Sequence, residues 1–290
     1  MSEDRRIPSS PAGREARPGR PHPLLTILVL PLAACVVAIG GRGHDDGHAR
    51  MDDSGTWHRA GTAQCEVRGE RRAEVDAADA AALELSAGAG SLEVRGRPDL
   101  DHVRIRGDAC ASDADLLEEI RIEARRDGDR VVVEARMPDT GGGERAEMDL
   151  VVEAPASLRA EIDDGSGPIT VRDLAGLSLH DGSGSIDVAR IDGPVRIDDG
   201  SGSLRLSEIR GAVDVEDGSG SLSIESVEGD VSVEDGSGGL TIRRIRGSVR
   251  VDDGSGDIRV VDVTGDLLVE ESGSGGLAVD RVAGQVRIED

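Results

Sequence analysis

The sequence predicts an all-β fold: a single-chain, β-helix-like solenoid of 18-residue coils, preceded by a less regular β-region with a hairpin. Three observations carry this. The tetrapeptide DGSG begins at Asp164, Asp181, Asp199, Asp217, Asp235 and Asp253, and an altered copy, ESGSG, begins at Glu271. After one 17-residue step the period is 18; a fixed period of this size marks coils that stack on their neighbours. Counting Asp as position 1, apolar residues fall at positions 6, 8, 11, 15 and 17 and glycine at 13, as in Leu204, Leu206, Ile209, Val213, Val215 and Gly211. Alternation at 6 and 8, and again at 15 and 17, is the signal of short strands with one face inward. Finally, Phe and Tyr are absent and Trp57 is the only aromatic residue, so the core is built of aliphatic side chains and suits a thin stack.

The chain divides into an export signal or membrane anchor (1–41), a flexible linker (42–64), an N-terminal irregular β-region or cap (65–160) and regular repeats (161–290). Arg5, Arg6, Arg14, Arg17 and Arg20 precede an apolar run from Leu24 to Gly41. That charge asymmetry places the rest of the chain outside the cytoplasm. Within the run, Leu32-Ala33-Ala34-Cys35 resembles a bacterial lipobox with Cys35 as the lipidated residue. Apolar residues continue past Cys35, which keeps an uncleaved transmembrane anchor open, since about 18 residues suffice to span. A cleaved, free protein is the third option. Residues 42–64 are rich in Gly, His and Asp without apolar periodicity, which reads as a tether; His44, His48 and His58 lie there as solvated side chains or weak metal ligands.

In the cap, Leu83-Glu84-Leu85, Ala87-Gly88-Ala89-Gly90 and Leu92-Glu93-Val94 read as a degenerate coil. Ser112 followed by Asp115 and two leucines suggests a brief helix. The stretch from Ile120 to Met137, with Asp127-Gly128 in its middle, predicts a β-hairpin. Cys65 and Cys110 are the remaining cysteines; after export they are expected to form a disulfide, with two separate thiols as the alternative. In the rod, one coil buries too little to fold alone, so stability is collective. At a strand spacing of about 4.8 Å, seven coils make a rod on the order of 30 Å long.

The formal net charge is -24 and every basic side chain apart from histidine is an arginine. From Glu161 to Asp290 there are 28 acidic residues against 12 arginines. Such a surface repels nucleic-acid phosphates, so no nucleic-acid partner is expected. Most coils begin with paired acids, such as Asp163-Asp164, Asp198-Asp199 and Glu234-Asp235, and stacking puts these carboxylates about 5 Å apart. Three readings compete for the column Asp164, Asp181, Asp199, Asp217, Asp235 and Asp253. Each Asp can turn inward and accept N–H groups of its own turn. The column can hold calcium, whose ligands are carboxylate and carbonyl oxygens, although the rest of each coil lacks the Gly-Gly-x-Gly-x-Asp pattern of the calcium nonapeptide repeats. Or it can meet a cationic partner, such as a basic peptide or another envelope protein. No other cofactor is expected. Arg243, Arg244 and Arg246 interrupt the acidity, as local compensation or as a contact patch.

The DGSG coils, with their Leu-x-Ile, Ile-x-Gly and Val-x-Val segments, resemble the bacterial β-strand-repeat family known as "putative adhesins", a domain family of unknown function. The resemblance runs from about Leu83 to Asp290. Cys65 and Ala109-Cys110-Ala111 also resemble the variant found in exported gammaproteobacterial members. The resemblance implies a β-solenoid at the cell envelope and no assigned catalytic residues. The expected function is therefore non-enzymatic: an envelope scaffold, adhesion-like or protein-interaction module, anchored at its N-terminus. The alternatives are an envelope stress or signalling component that senses a ligand or partner, and a calcium-binding repeat protein. Serines recurring in every coil mark a turn position, since a unique nucleophile would not be copied. The chain stops within the strands of the seventh coil, so self-association or an envelope partner is expected at that uncapped end.

Overall fold

The computed structural model describes residues 65–289 apart from residue 142. Two sheets of eleven strands each enclose one aliphatic core whose members run from Ala77 to Val269. The N-terminal part supplies β1 (Val67–Asp76), β2 (Ala82–Ser86), β3 (Leu92–Arg97), β4 (His102–Ala111), helix α1 (Ala114–Glu119), β5 (Arg121–Asp127), β6 (Arg130–Arg136) and β7 (Ala146–Pro155). The rod follows as β8 (Arg159–Asp164), β9 (Gly167–Arg172), β10 (Gly176–Asp181), β11 (Gly184–Ile191), β12 (Val195–Asp199), β13 (Gly202–Ile209), β14 (Val213–Asp217) and β15 (Gly220–Val227). It ends with β16 (Val231–Asp235), β17 (Gly238–Ile245), β18 (Val249–Asp253), β19 (Gly256–Val263), β20 (Leu267–Glu271), β21 (Leu277–Val282) and β22 (Val286–Ile288).

Each coil gives one strand to each sheet. Odd-numbered strands from β9 to β21 stack in one and even-numbered strands from β8 to β22 in the other, all parallel. The register places like on like. Leu204 sits between Ile186 and Leu222, and Val215 between Ile197 and Val233. Positions 6, 8, 11, 15 and 17 are buried throughout the regular coils, as the alternation predicts.

Two corners per coil reverse the chain. At the DGSG corner the chain leaves β12 at Asp199 and enters β13 at Gly202. The glycine at position 4 adopts φ between 128° and 153° from Gly167 to Gly256. A Cβ there would overlap the carbonyl oxygen of the same glycine one coil earlier, as Gly220 would with Gly202. Conformation and space both demand glycine. The 17-residue coil loses its residue at the other corner, where Ala175-Gly176 joins Leu174 to Leu177 and other coils use three residues, such as Arg210-Gly211-Ala212.

One recurrent feature carries no composition signal. Position 10 is left-handed in every coil, with φ of 53° to 62° at Asp173, Arg190, Glu208, Ser226, Arg244, Asp262 and Arg281. Strict alternation would aim position 10 inward. The left-handed residue offsets the strand by one, so that position 11, such as Ile209, reaches the core.

The cap extends the same two sheets by different pairings. β2 and β3 form the degenerate coil, lying beside β8 and β9 with Leu83, Leu85, Leu92 and Val94 buried. β6 and β7 add a further parallel layer. β4 then pairs antiparallel with β7, and β1 antiparallel with β4. The predicted hairpin is present as β5–β6, turning at Gly128 with φ 60°. The brief helix is also present, but its N-cap is Asp113, whose Oδ1 accepts the Leu116 N–H at 2.9 Å, and not Ser112. Arg71, 8% exposed, fastens the far end of the helix: its guanidinium donates to the carbonyls of Leu117 (2.6 Å) and Ile120 (2.7 Å). Those are orphan carbonyls of a helix C-terminus, where a cation is favoured.

The expected Cys65–Cys110 disulfide is formed, with a Cα–Cα distance of 5.5 Å. It ties the segment entering β1 to β4 across 45 residues. The seventh coil departs from the rest. Val286 and Ile288, on β22, are 48% and 47% exposed. No described helix is long and apolar enough to cross a membrane. The proposed lipidation site Cys35, the apolar run from Leu24 to Gly41 and the linker histidines lie outside the described residues.

Candidate functional site

The acidic column divides into two, one inside and one outside the rod. Position 1 continues the inward set of its strand: on β12, Val195, Ile197 and Asp199 are buried while Arg196 and Asp198 are exposed. Asp164, Asp181, Asp199, Asp217, Asp235 and Asp253 are all 4% exposed or less. They are direct neighbours in the parallel register. From Asp181 onward, Oδ1 accepts the N–H of the serine two residues on, at 3.0–3.3 Å. The Asx-type reading therefore describes the geometry of these five turns. In all six, Oδ2 is buried without a hydrogen-bond partner in the described residues.

Burial pushes every one of these carboxyls above the ordinary range. Asp164 is raised to about 7, by burial and then by the charge of Asp181. Asp235 is raised to about 6, by burial and then by Asp217 and Asp253. Asp199 and Asp217 rise by burial and by the preceding aspartate. Asp181 and Asp253 rise by burial, against the serine N–H bonds that favour the charged form.

Glu271 does not join the inward column. The ESGSG corner is one residue longer than DGSG: β18 and β20 slip register after Val251, Asp252 pairs with Glu271, and Glu271 is exposed. At the other end, Ala87-Gly88-Ala89-Gly90 occupies the DGSG position in β2–β3, since Ser86 pairs with Asp163 and Ser166 N–H donates to the Gly88 carbonyl at 3.1 Å. The inward carboxyls thus begin and end with the regular repeats.

Calcium takes six to eight oxygen ligands, whereas the column presents one uncommitted carboxylate oxygen per coil. The aspartate and serine carbonyls of the turns are engaged, for instance Asp181 by Gly200 N–H at 2.9 Å and Ser219 by Gly202 N–H at 2.9 Å. The donor set does not fit a calcium ion. Among the described residues, the only three metal-ligand-type side chains with donor atoms within 4.8 Å of one another are Cys65, Cys110 and Glu147, and there the sulfurs are joined to each other.

The outer column at position 18 is Asp163, His180, Asp198, Glu216, Glu234, Asp252 and Glu270. His180 Nδ1 lies 3.3 Å from Asp198, Arg196 bridges Asp214 and Glu216 at 2.6 and 2.5 Å, and Arg250 pairs with Glu270. Glu234 and Asp252 have no ion-pair partner among the described residues. An open groove runs beside this column, lined by its carboxylates and the corner glycines. In the arginine cluster, Arg244 pairs with Glu225 and Arg246 with Glu228, which is the expected local compensation. His102 meets Asp101 at 2.7 Å, and no serine is hydrogen-bonded to His102 or His180 among the described residues.

No curated protein matches the chain. Its fold resembles several solved structures. One is a putative adhesin from Bacteroides fragilis, 10% identical, with TM-score 0.41, covering 77% of this chain and 97% of that one. Another is a putative cell adhesion protein from Clostridium sporogenes, 15% identical, TM-score 0.32, covering 76% and 98%. A third is a putative lipid binding protein from Parabacteroides distasonis, 11% identical, TM-score 0.41, covering 76% and 97%. The Toastrack DUF4097 family model matches residues 141–288, the whole of the regular rod with the last strand of the cap. The chain belongs to the Toastrack DUF4097 family.

Proposed function

We propose that this protein is a non-enzymatic module of the cell envelope that binds a cationic protein partner through the outer acidic face of its rod. The observation that carries the reading is the run Asp198, Glu216, Glu234 and Asp252, held in register on adjacent parallel strands. A rigid ladder of like charges loses little side-chain and backbone freedom when a basic segment lies along it. Placement outside the cytoplasm is supported by the arginine-flanked apolar run before residue 42 and by the Cys65–Cys110 bridge, a bond that persists in oxidising compartments. Anchoring through Cys35 or through the apolar run belongs to the same proposal.

A fluorescent oligo-arginine peptide serves as the probe in an anisotropy titration. One variant, Asp198→Asn/Glu216→Gln/Glu234→Gln/Asp252→Asn, removes four charges from the ladder. A second, Asp79→Asn/Glu118→Gln/Asp129→Asn/Asp139→Asn, removes four exposed charges from the cap. Binding is expected to weaken as salt rises, and to weaken at least about tenfold more in the first variant than in the second, a difference of about 1.4 kcal/mol. Equal losses would mean that only net charge matters and would overturn the reading.

A further inference from the structure

The inward aspartates raise a question that the turn geometry leaves unanswered. A buried carboxylate with one oxygen unbonded is costly, and here the arrangement recurs six times in direct contact register. The turn itself does not require it. Ala87-Gly88-Ala89-Gly90 makes the same corner, in register with Asp164-Gly165-Ser166-Gly167, with an alanine where the carboxyl would be. Where the corner lengthens by one residue, the acid becomes Glu271 and faces solvent. The buried carboxyl is therefore a property of the regular coils beyond what their shape demands.

Among the described residues the one compensating cation acting on the column is His180, and it acts on Asp181 alone. The charges acting on the column are its own members, the preceding acids Asp163, Asp198 and Asp252 on the same strands, and His180. From Asp181 to Asp235 the strands on either side bear the same aspartate; Asp164 is flanked on one side by β2, with Ala87 at that place, and Asp253 by β20, whose Glu271 faces solvent. A metal shell is not available, as the single free oxygen per coil shows. A proton needs only one oxygen. Placed on Oδ2, it turns an orphan acceptor into a donor, removes a buried charge and relieves the repulsion between neighbours in register.

We propose that the inward column is a proton-binding site: Asp164, Asp181, Asp199, Asp217, Asp235 and Asp253 share protons along the rod, and the rod is stabilised by mild acid. The direction follows from linkage. Groups held above their unfolded value of 3.8, two of them at about 6 and about 7, bind more protons folded than unfolded. Their stabilising contribution is complete below about pH 4 and is lost as pH rises through about 6 to 7. This is opposite to the arginine-paired surface acids Asp173 and Asp262, whose values are lowered and whose contribution is lost as pH falls. The coupled column titrates as a unit, not as six independent sites.

The test is the melting temperature of the full chain from about pH 5 to about pH 8. The wild type is expected to lose several degrees across this window. Asp199→Asn/Asp217→Asn/Asp235→Asn, which keeps an Oδ1 acceptor for each serine N–H, is expected to flatten the slope. Glu216→Gln/Glu234→Gln/Asp252→Asn, on the outer face of the same strands, is expected to retain it. A wild-type profile that is flat or rises would overturn the proposal, as would a slope abolished by the outer set and kept by the inner one. A rise in melting temperature on adding calcium at neutral pH would overturn it in favour of a metal. If the inner variant does not fold, carboxyl-carbon NMR of aspartate-labelled wild type decides. Buried aspartate resonances titrating above about pH 5 support the column, and titration of every aspartate near about 3.9 overturns it.

Discussion

The cap and the rod share two sheets and one core, yet they are held by different means. In the regular coils of the rod the strands lie parallel and in register on near copies of themselves, so that Val213, Val231 and Val249 stack in one file. Most of its contacts are repeated from coil to coil. In the cap the pairings are mixed: β1–β4–β7 runs antiparallel, β5–β6 is a hairpin, and α1 is fastened by Arg71. Here single contacts matter, because each occurs once. The difference shows how a stack can be closed: a strand edge is covered by changing pairing direction and adding a helix and a disulfide, whereas continuing the coil only moves the edge along.

That comparison can be broken hardest in the rod. Gly220→Val sets a side chain against the Gly202 carbonyl at φ 145°, and cooperative melting by circular dichroism is expected to disappear. Gly239→Ala, one corner on in open space, should change stability by no more than about 0.5 kcal/mol. In the cap, Cys65→Ser/Cys110→Ser opens a 45-residue link and should cost about 4 kcal/mol in the chain-entropy account. Hydrogen exchange should then accelerate in β1 and β4 before the rod. Arg71→Ala leaves the Leu117 and Ile120 carbonyls unpaired, with an expected loss of about 1–3 kcal/mol in urea denaturation. One effect runs the other way. Glu208→Gly relieves a left-handed non-glycine residue with φ 57° and should raise stability by about 1 kcal/mol. No gain would mean that the bulge at position 10 is held by contacts of the Glu208 side chain.

Much of this was readable in the residues. The coil period, the inward positions and the need for glycine at the DGSG corner follow from alternation and spacing. Even the degenerate coil at Leu83–Val94 is recognisable by its two alternating pairs. The helix is legible from Ser112, Asp115 and the two leucines, but its cap is the next residue, Asp113, because which of two adjacent polar side chains meets the helix N–H groups depends on the backbone. The left-handed position 10 had no signal, because Asp, Arg, Glu and Ser all occupy it. Of the candidate site, the two acidic columns were visible as pairs, but Glu270-Glu271 looked like its predecessors until the lengthened corner turned Glu271 outward.

By itself, the sequence determined the repeat, the aliphatic core and the total charge, because these depend on local alternation and composition. Only the tertiary structure decided where the inward column ends. Alternation from positions 15 and 17 aims position 1 inward, as in Val195, Ile197 and Asp199, but at the end of a strand the choice falls to the corner, and one extra residue there turns Glu271 out. That choice separates an exposed acidic ladder from a buried one with an unbonded oxygen in each of its six carboxyls.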